Sequence, residues 1–272
     1  MPVRITSRQN GRIKAVIRLN ERRYRDEQQL TLVEGIREVT RAIQQGIAPQ
    51  EVYLCPELLP ETALPIVAHL RALADNGRTQ LFEVTPAVYE KMAYRGDSGG
   101  VIMVIPYLSL SLGQLTTSAS SLFAIIEGAE KPGNLGAILR TADAAGVDAV
   151  LLSSNGSGTD IHNPNVIRAS LGTLFAVPVA VADNIQLISW LHAHNICMVA
   201  TTPTATKLYT AVDMTQPIAI IAGSESDGLS REWLEHASEK VRIPMNGIAD
   251  SLNLSTSMAV MLYEAVRQRS LQ

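Results

Sequence analysis

Three short segments hold the residues whose types and spacing could do chemistry. In the run Glu127-Gly128-Ala129-Glu130-Lys131-Pro132-Gly133-Asn134-Leu135-Gly136-Ala137-Ile138-Leu139-Arg140-Thr141-Ala142-Asp143, an asparagine opens a helix and an arginine follows nearly two turns later. Arg140 is a long cation among Ile138, Leu139 and Ala142, and such a group requires a partner. Downstream come Gly223-Ser224-Glu225-Ser226-Asp227-Gly228, then Ile243-Pro244-Met245 leading to Ser251-Leu252-Asn253. Glycine-rich turns after apolar strands are where α/β proteins usually hold phosphates and nucleosides. The dinucleotide pattern G-x-G-x-x-G follows none of the candidate strands, and Gly133-Asn134-Leu135-Gly136 is a poor match. A Rossmann dehydrogenase or an ordinary Rossmann methyltransferase is therefore disfavoured. Each polar residue also has a plainer use. Asn134 can N-cap its helix, Asn253 the last helix, and Glu225 can serve nearby backbone. Ile243 and Leu252 can be ordinary core. His69, His162, His192, His194 and His236 have no ligand-like arrangement, and no metal is expected.

The elements that must position these residues alternate. Lys14 to Arg25 reads as one helix, Leu30–Val33 as a strand and Ile36 to about Gly46 as a helix. Glu51–Cys55 (strand), Leu64–Leu73 (helix, Pro65 in its first turn), Gln80–Val84 (strand), Ala87–Ala93 (helix) and Gly99–Ile105 (strand) complete a first α/β unit. The uncharged, Ser- and Thr-rich stretch Pro106–Ser118 breaks the pattern. Residues 1–105, a linker at 106–118, and residues 119–272 are thus expected as two domains. In the second, Leu122–Ile126, Ala149–Leu152, Ala176–Val181, Met198–Ala200 and Ile218–Ala222 read as strands. Asn134–Ala145, Asn165–Leu171, Ile185–His194 and Leu254–Gln268 read as helices. Near-continuous apolar strands point to a parallel sheet covered on both faces.

Composition narrows the class. With 46% hydrophobic and 18% charged residues the 272-residue chain is globular, with no apolar run long enough to span a bilayer. The N-terminus lacks the apolar core of a signal peptide, and Cys55 and Cys197 lie far apart, so free thiols in a reducing cytoplasm are expected. The net charge of −3 is unevenly spread: residues 1 to 41 hold ten Lys and Arg against five acids. A basic arm on an acidic protein draws phosphate to one face, although a charge run is also compatible with a solvated helix. Arg8, Arg12, Lys14, Arg22, Arg23 and Arg25 are the candidate nucleic-acid-binding residues.

Taken together, the three segments resemble the signature motifs of the SpoU/TrmH family, a branch of the SPOUT methyltransferases. Arg168–Phe175 and Thr201-Thr202-Pro203 are similar to that family as well, and the likeness runs from about Leu122 to the C-terminus. The first hundred residues resemble the family's substrate-binding extension, a domain similar to ribosomal proteins that bind kinked RNA. The resemblance implies a parallel α/β sheet with a deep trefoil knot, a trait that periodicity could not suggest. It implies a homodimer that transfers a methyl from S-adenosylmethionine to a ribose 2′-hydroxyl of RNA. Large-subunit ribosomal RNA is favoured over tRNA because of the separate N-terminal domain. A tRNA enzyme, an antibiotic-resistance rRNA enzyme, a base-nitrogen methyltransferase and a non-catalytic assembly factor stand as alternatives. By the same resemblance, Gly223, Ile243 and Leu252 line an adenosine pocket beside Thr201 and Thr202. Asn134, Arg140, Glu225, Ser251 and Asn253 converge on the reaction. A guanidinium holds its proton at neutral pH, so Arg140 reads better as a phosphate clamp than as a base.

Overall fold

A computed structural model describes residues 3–94, 99–129, 131–154 and 160–271. The chain divides into two compact units. One comprises Met1–Leu108 with Asp160–Ala176, the other Ser109–Thr159 with Val177–Gln272.

The first unit carries a five-stranded mixed sheet. Its elements are β1 (Val3–Ile5), α1 (Gly11–Arg18), α2 (Arg22–Gln28), β2 (Leu30–Glu34), α3 (Ile36–Gln44), β3 (Glu51–Leu54), α4 (Leu64–Asp75), β4 (Gln80–Val84), α5 (Pro86–Met92) and β5 (Val101–Pro106). Strand order is β1-β4-β3-β5-β2, with β5 antiparallel to both neighbours and the other pairs parallel. Ile13, Val16, Tyr53, Phe82, Val88 and Ile102 form the core on one side. The helix expected over Lys14 to Arg25 is two helices. After Ile17 the chain tightens, with Asn20 and Glu21 donating backbone N–H to Ile17 and Arg18 carbonyls, and the buried Arg25 guanidinium takes the carbonyls of Leu19 and Asn20. A single polar break inside a basic stretch leaves no periodicity signal. β1 is too short to show one.

The second unit is built on β6 (Leu122–Glu127), α6 (Pro132–Ala145), β7 (Ala149–Ser153), β8 (Val179–Ala182), α8 (Asn184–Ala193), β9 (Cys197–Thr201), β10 (Lys207–Leu208), β11 (Ile218–Ala222), α9 (Arg231–His236), β12 (Glu239–Arg242) and α10 (Leu254–Arg269). The intervening helix, α7 (Pro164–Ala169), lies in the first unit. All seven strands are parallel, in the order β10-β12-β9-β11-β6-β7-β8. β6, β7 and β11 are buried along their whole length, which is why they read as unbroken apolar runs. β12 escaped notice because only Val241 of Glu239-Lys240-Val241-Arg242 is buried. α10 packs on α6 and β11.

The segment Asp160–Ala176 departs from the expected division at 119. It packs with the first unit: α7 lies on β2, Arg41 Nη1 donates to the Leu171 carbonyl at 2.7 Å, and Asp160 pairs with Arg25. His162 stacks on Tyr107 with ring centroids 3.5 Å apart. Its apolar residues Val166, Ile167, Leu174 and Phe175 are buried, and burial does not reveal from sequence which sheet supplies the partner.

Candidate active site

In a parallel sheet, ligands collect beyond the carboxyl ends of the strands, where the helix N-termini also point. Four adjacent strands, β12, β9, β11 and β6, end beside one another in this sheet. β9 ends at Thr201, β11 at Ala222, β12 at Arg242 and β6 at Glu127. The loops leaving the first three line a single cavity of about 430 Å³, with Thr201, Thr202, Gly223, Ile243, Ser251 and Leu252 in its wall. Every residue expected from sequence to hold the cofactor is therefore at one cavity.

Local geometry explains why the turn after β11 needs glycine. A Cβ on Gly223 would stand 2.1 Å from the Gly228 carbonyl group, because the turn folds back and Gly228 N–H bonds to the Ser224 carbonyl at 3.1 Å. Gly228 itself closes the turn at φ +67°. Gly128, at φ +72°, leaves room for the Ser224 side chain, so the loops after β6 and β11 touch. The Thr201 hydroxyl is buried with no hydrogen-bond partner among the described residues. An unpaired buried hydroxyl costs free energy, and one at a cavity wall is poised for a ligand.

Glu225 is the hub of the polar cluster. It accepts from Lys131 Nζ at 2.7 Å, from Asn134 Nδ2 at 3.2 Å, from Asn253 Nδ2 and from the Leu254 backbone. Hydrogen bonds from Lys131 and then Asn134 hold its carboxyl below the usual range. A carboxylate so occupied is a poor proton acceptor, which favours anchoring over base catalysis for this residue. Asn253 closes the ring by donating to Asn134 Oδ1 at 3.2 Å, while its own Oδ1 caps α10 through the Ser255 N–H at 3.0 Å. Capping and joining the cluster, which looked like alternatives, are thus done by one side chain. Asn134 does not cap α6. The helix starts at Pro132, and the amide of Asn134 points to Glu225 and Asn253.

Arg140 stands apart. It lies six residues further along α6, roughly 9 Å by helical rise, and is exposed with no hydrogen bond or ion pair among the described residues. The partner it requires is not in the Asn134 cluster. Ser251 is exposed at the cavity wall, and no hydrogen bond to another described residue occupies its hydroxyl. Lys131 was not singled out from sequence, although it stands in the quoted run. Its only sequence signal is a cation three residues before Asn134.

A family model described as the SpoU rRNA Methylase family matches residues 121–263, more than half of the chain. The chain belongs to this family. Residues 10–103 match the MRM3-like substrate binding domain. The 23S rRNA (guanosine-2′-O-)-methyltransferase RlmB of Escherichia coli K12 is 32% identical, covering 81% of this chain and 91% of its own. A tRNA/rRNA methyltransferase of Synechocystis, described as uncharacterised, is also 32% identical, over 97% of this chain and 94% of its own. Among solved structures, an RNA 2′-O ribose methyltransferase is 42% identical with a TM-score of 0.84, covering 98% of this chain and 100% of that one. The SpoU methyltransferase AviRb of Streptomyces viridochromogenes, solved with AdoMet, is 27% identical with a TM-score of 0.86, covering 97% and 100%.

In this SpoU member the basic arm is less free than its sequence suggests. Arg25 is 1% exposed, bound to Asp160 and two carbonyls, and has no face left for RNA. That candidate is withdrawn: the side chain is an internal tie, and its position on the buried side of α2 explains why. Arg8 pairs with Glu90, Arg12 with Glu51 while covering the Phe82 ring, and Arg22 with Asp26. Lys14 and Arg23 are exposed and show no ion pair among the described residues. Both free cysteines lack a disulfide; Cys55 is buried, and burial pushes its thiol up to about 11.

Proposed function

We propose that this SpoU member transfers a methyl group from S-adenosylmethionine to a ribose 2′-hydroxyl of RNA, with ribosomal RNA as the substrate class. The observation that carries the reading is the meeting of three separate chain segments at one cavity, with the Glu225 cluster at its edge. The names of the relatives and the match to a substrate-binding domain support rRNA over tRNA.

The cavity suits the cofactor. Its volume is in the usual range for small-molecule sites, roughly 300–1,000 Å³. Among the described residues its wall holds three carboxylates, Glu225, Asp227 and Asp250, and no Lys or Arg, which fits a ligand of net positive charge. The Thr201 hydroxyl, Thr202, Gly223, Ile243 and Leu252 would hold it, the apolar pair packing on the adenosine and backbone groups reading its edge. When bound, this cofactor supplies a methyl activated by a sulfonium.

The protein's own residues supply the rest. The ribose hydroxyl must be aligned with that methyl and must lose a proton as the new bond forms. Ser251 has a hydroxyl at the cavity to orient it and to pass the proton to solvent. Arg140, exposed on α6, clamps RNA phosphate and offsets the negative charge developing on the ribose oxygen. Asn134, Glu225 and Asn253 hold the loops at fixed spacing. The fold reading extends to a deep trefoil knot, supported by the segment after β12 lining the same cavity as the loops after β9 and β11 before it enters α10. It extends also to a homodimer, supported by Tyr263, an aromatic side chain 51% exposed on α10.

The test is to incubate ribosomal RNA with the protein and methyl-labelled cofactor, then hydrolyse in alkali. Label should survive in alkali-resistant dinucleotides. Label confined to bases would sink the ribose assignment.

A further inference from the structure

We propose that Lys131 is a positioning residue for methyl transfer, its ammonium pinning Glu225 so that the carboxylate holds the Asn134 and Asn253 amides, and with them two loops, in reacting register. The proposal deepens the function assigned above and rests on it for its kinetic part alone.

Three observations support it. Lys131 is the N-cap residue of α6, where a lysine is an unusual choice, because the helix N-terminus carries partial positive charge and repels a cation. Its side chain makes no capping bond and instead spans 94 positions of sequence to reach Glu225 Oε2 at 2.7 Å. The other oxygen, Oε1, is shared by Asn134 on α6 and Asn253 at the start of α10. Because each oxygen has its own donors, the carboxylate is fixed in rotation as well as in place. Removing Lys131 would free Oε2 and let the plane turn, loosening both amides on the opposite oxygen.

Charge makes the arrangement stronger than a neutral anchor. The titratable groups around Glu225 are Lys131 from the start of α6, Asp227 on its own turn, and Asp250 in the wall of the same cavity; Asn134, Asn253 and the Leu254 N–H are uncharged donors. Lys131 is thus the one cation in a neighbourhood of acids among the described residues. Without it, Glu225 loses the first of the hydrogen bonds that stabilise its carboxylate, and no cation holds Oε2 to fix the plane against Asn134 and Asn253.

The experiment uses the full chain with Lys131→Met and Lys131→Arg. The Glu225 carboxyl is followed by carbon NMR against pH, assigned with Glu225→Gln, and methylation of total ribosomal RNA is measured in parallel. Lys131→Met should move the Glu225 midpoint upward and lower kcat roughly tenfold or more, with the KM for RNA within about twofold of wild type. The acid limb of its rate profile should move up with the midpoint, and Lys131→Arg should recover most of both. An unchanged midpoint overturns the proposal. So does a rise in KM alone that grows with salt, which identifies Lys131 as a direct phosphate contact. If wild type methylates no RNA yet the midpoint still moves, the functional reading fails and the pinning of Glu225 stands.

Discussion

Arg25 and Lys14 belong to the same basic arm, and substitution should separate them. Arg25→Ala leaves Asp160 without its cation in a site where Arg25 is 1% exposed, a loss of the order of 3–5 kcal/mol. A large fall in Tm is the expected outcome. Lys14→Ala and Arg23→Ala, both in solvent, should leave Tm within a degree or two and reduce the salt slope of RNA binding by about one each. An unchanged slope removes them from the RNA face. At the cavity, Thr201→Val deletes a hydroxyl that has no partner among the described residues, so thermal stability should hold or rise while cofactor Kd weakens about 3- to 10-fold by calorimetry. Arg140→Ala should abolish turnover and leave cofactor affinity near wild type. At this scale the sequence named residues that the fold gathers at one cavity and its Glu225 cluster, with Arg140 apart. Their division of labour was not legible: whether an asparagine caps a helix or joins a cluster depends on where a loop 119 positions away comes to rest.

Elements show the same division between what is local and what is not. Apolar strands such as β6 and β11 announce themselves because both faces are buried. β12, with one buried residue, and the break between α1 and α2 are decided by neighbours distant in sequence. The last helix carries two testable devices. Arg269 near the end of α10 donates to the carbonyls of Ser120, Ser121, Met214 and Gln216, tying the helix to the segments that lead into the central strands β6 and β11. Arg269→Ala should cost about 2 kcal/mol in chemical denaturation, allowing for its partial exposure. Buried Glu264 is held below its ordinary 4.5, first by its hydrogen bond from Arg267 and further by Gln268. A folded value below the unfolded one stabilises the fold above the ordinary value, and that contribution is lost as pH falls through the folded one. Glu264→Gln should therefore lower Tm at pH 7, with the gap to wild type closing as pH falls below the ordinary 4.5. A gap that stays constant with pH would show that packing alone is at stake.

For the whole molecule, composition and the uncharged stretch at 106–118 indicate two α/β units, and two compact units are found. The excursion of residues 160–176 into the first unit was hidden, because buried Val166 and Phe175 look the same whichever sheet they cover. It changes what truncation should do. Removing residues 1–108 leaves the apolar side of α7 without β2, so the remaining core should bind cofactor but aggregate, measured by light scattering. Replacing the exposed apolar residues of 160–176 with polar ones should restore solubility. The same excursion bears on synthesis. The first unit begins at the N-terminus, yet Asp160, the partner of Arg25, is translated some 135 residues after it. On a ribosome adding about 5–20 residues per second, that unit waits several seconds or more for its last segment. During that interval Arg25 lacks its counterion, and an otherwise complete N-terminal sheet stays open to solvent and to chaperones.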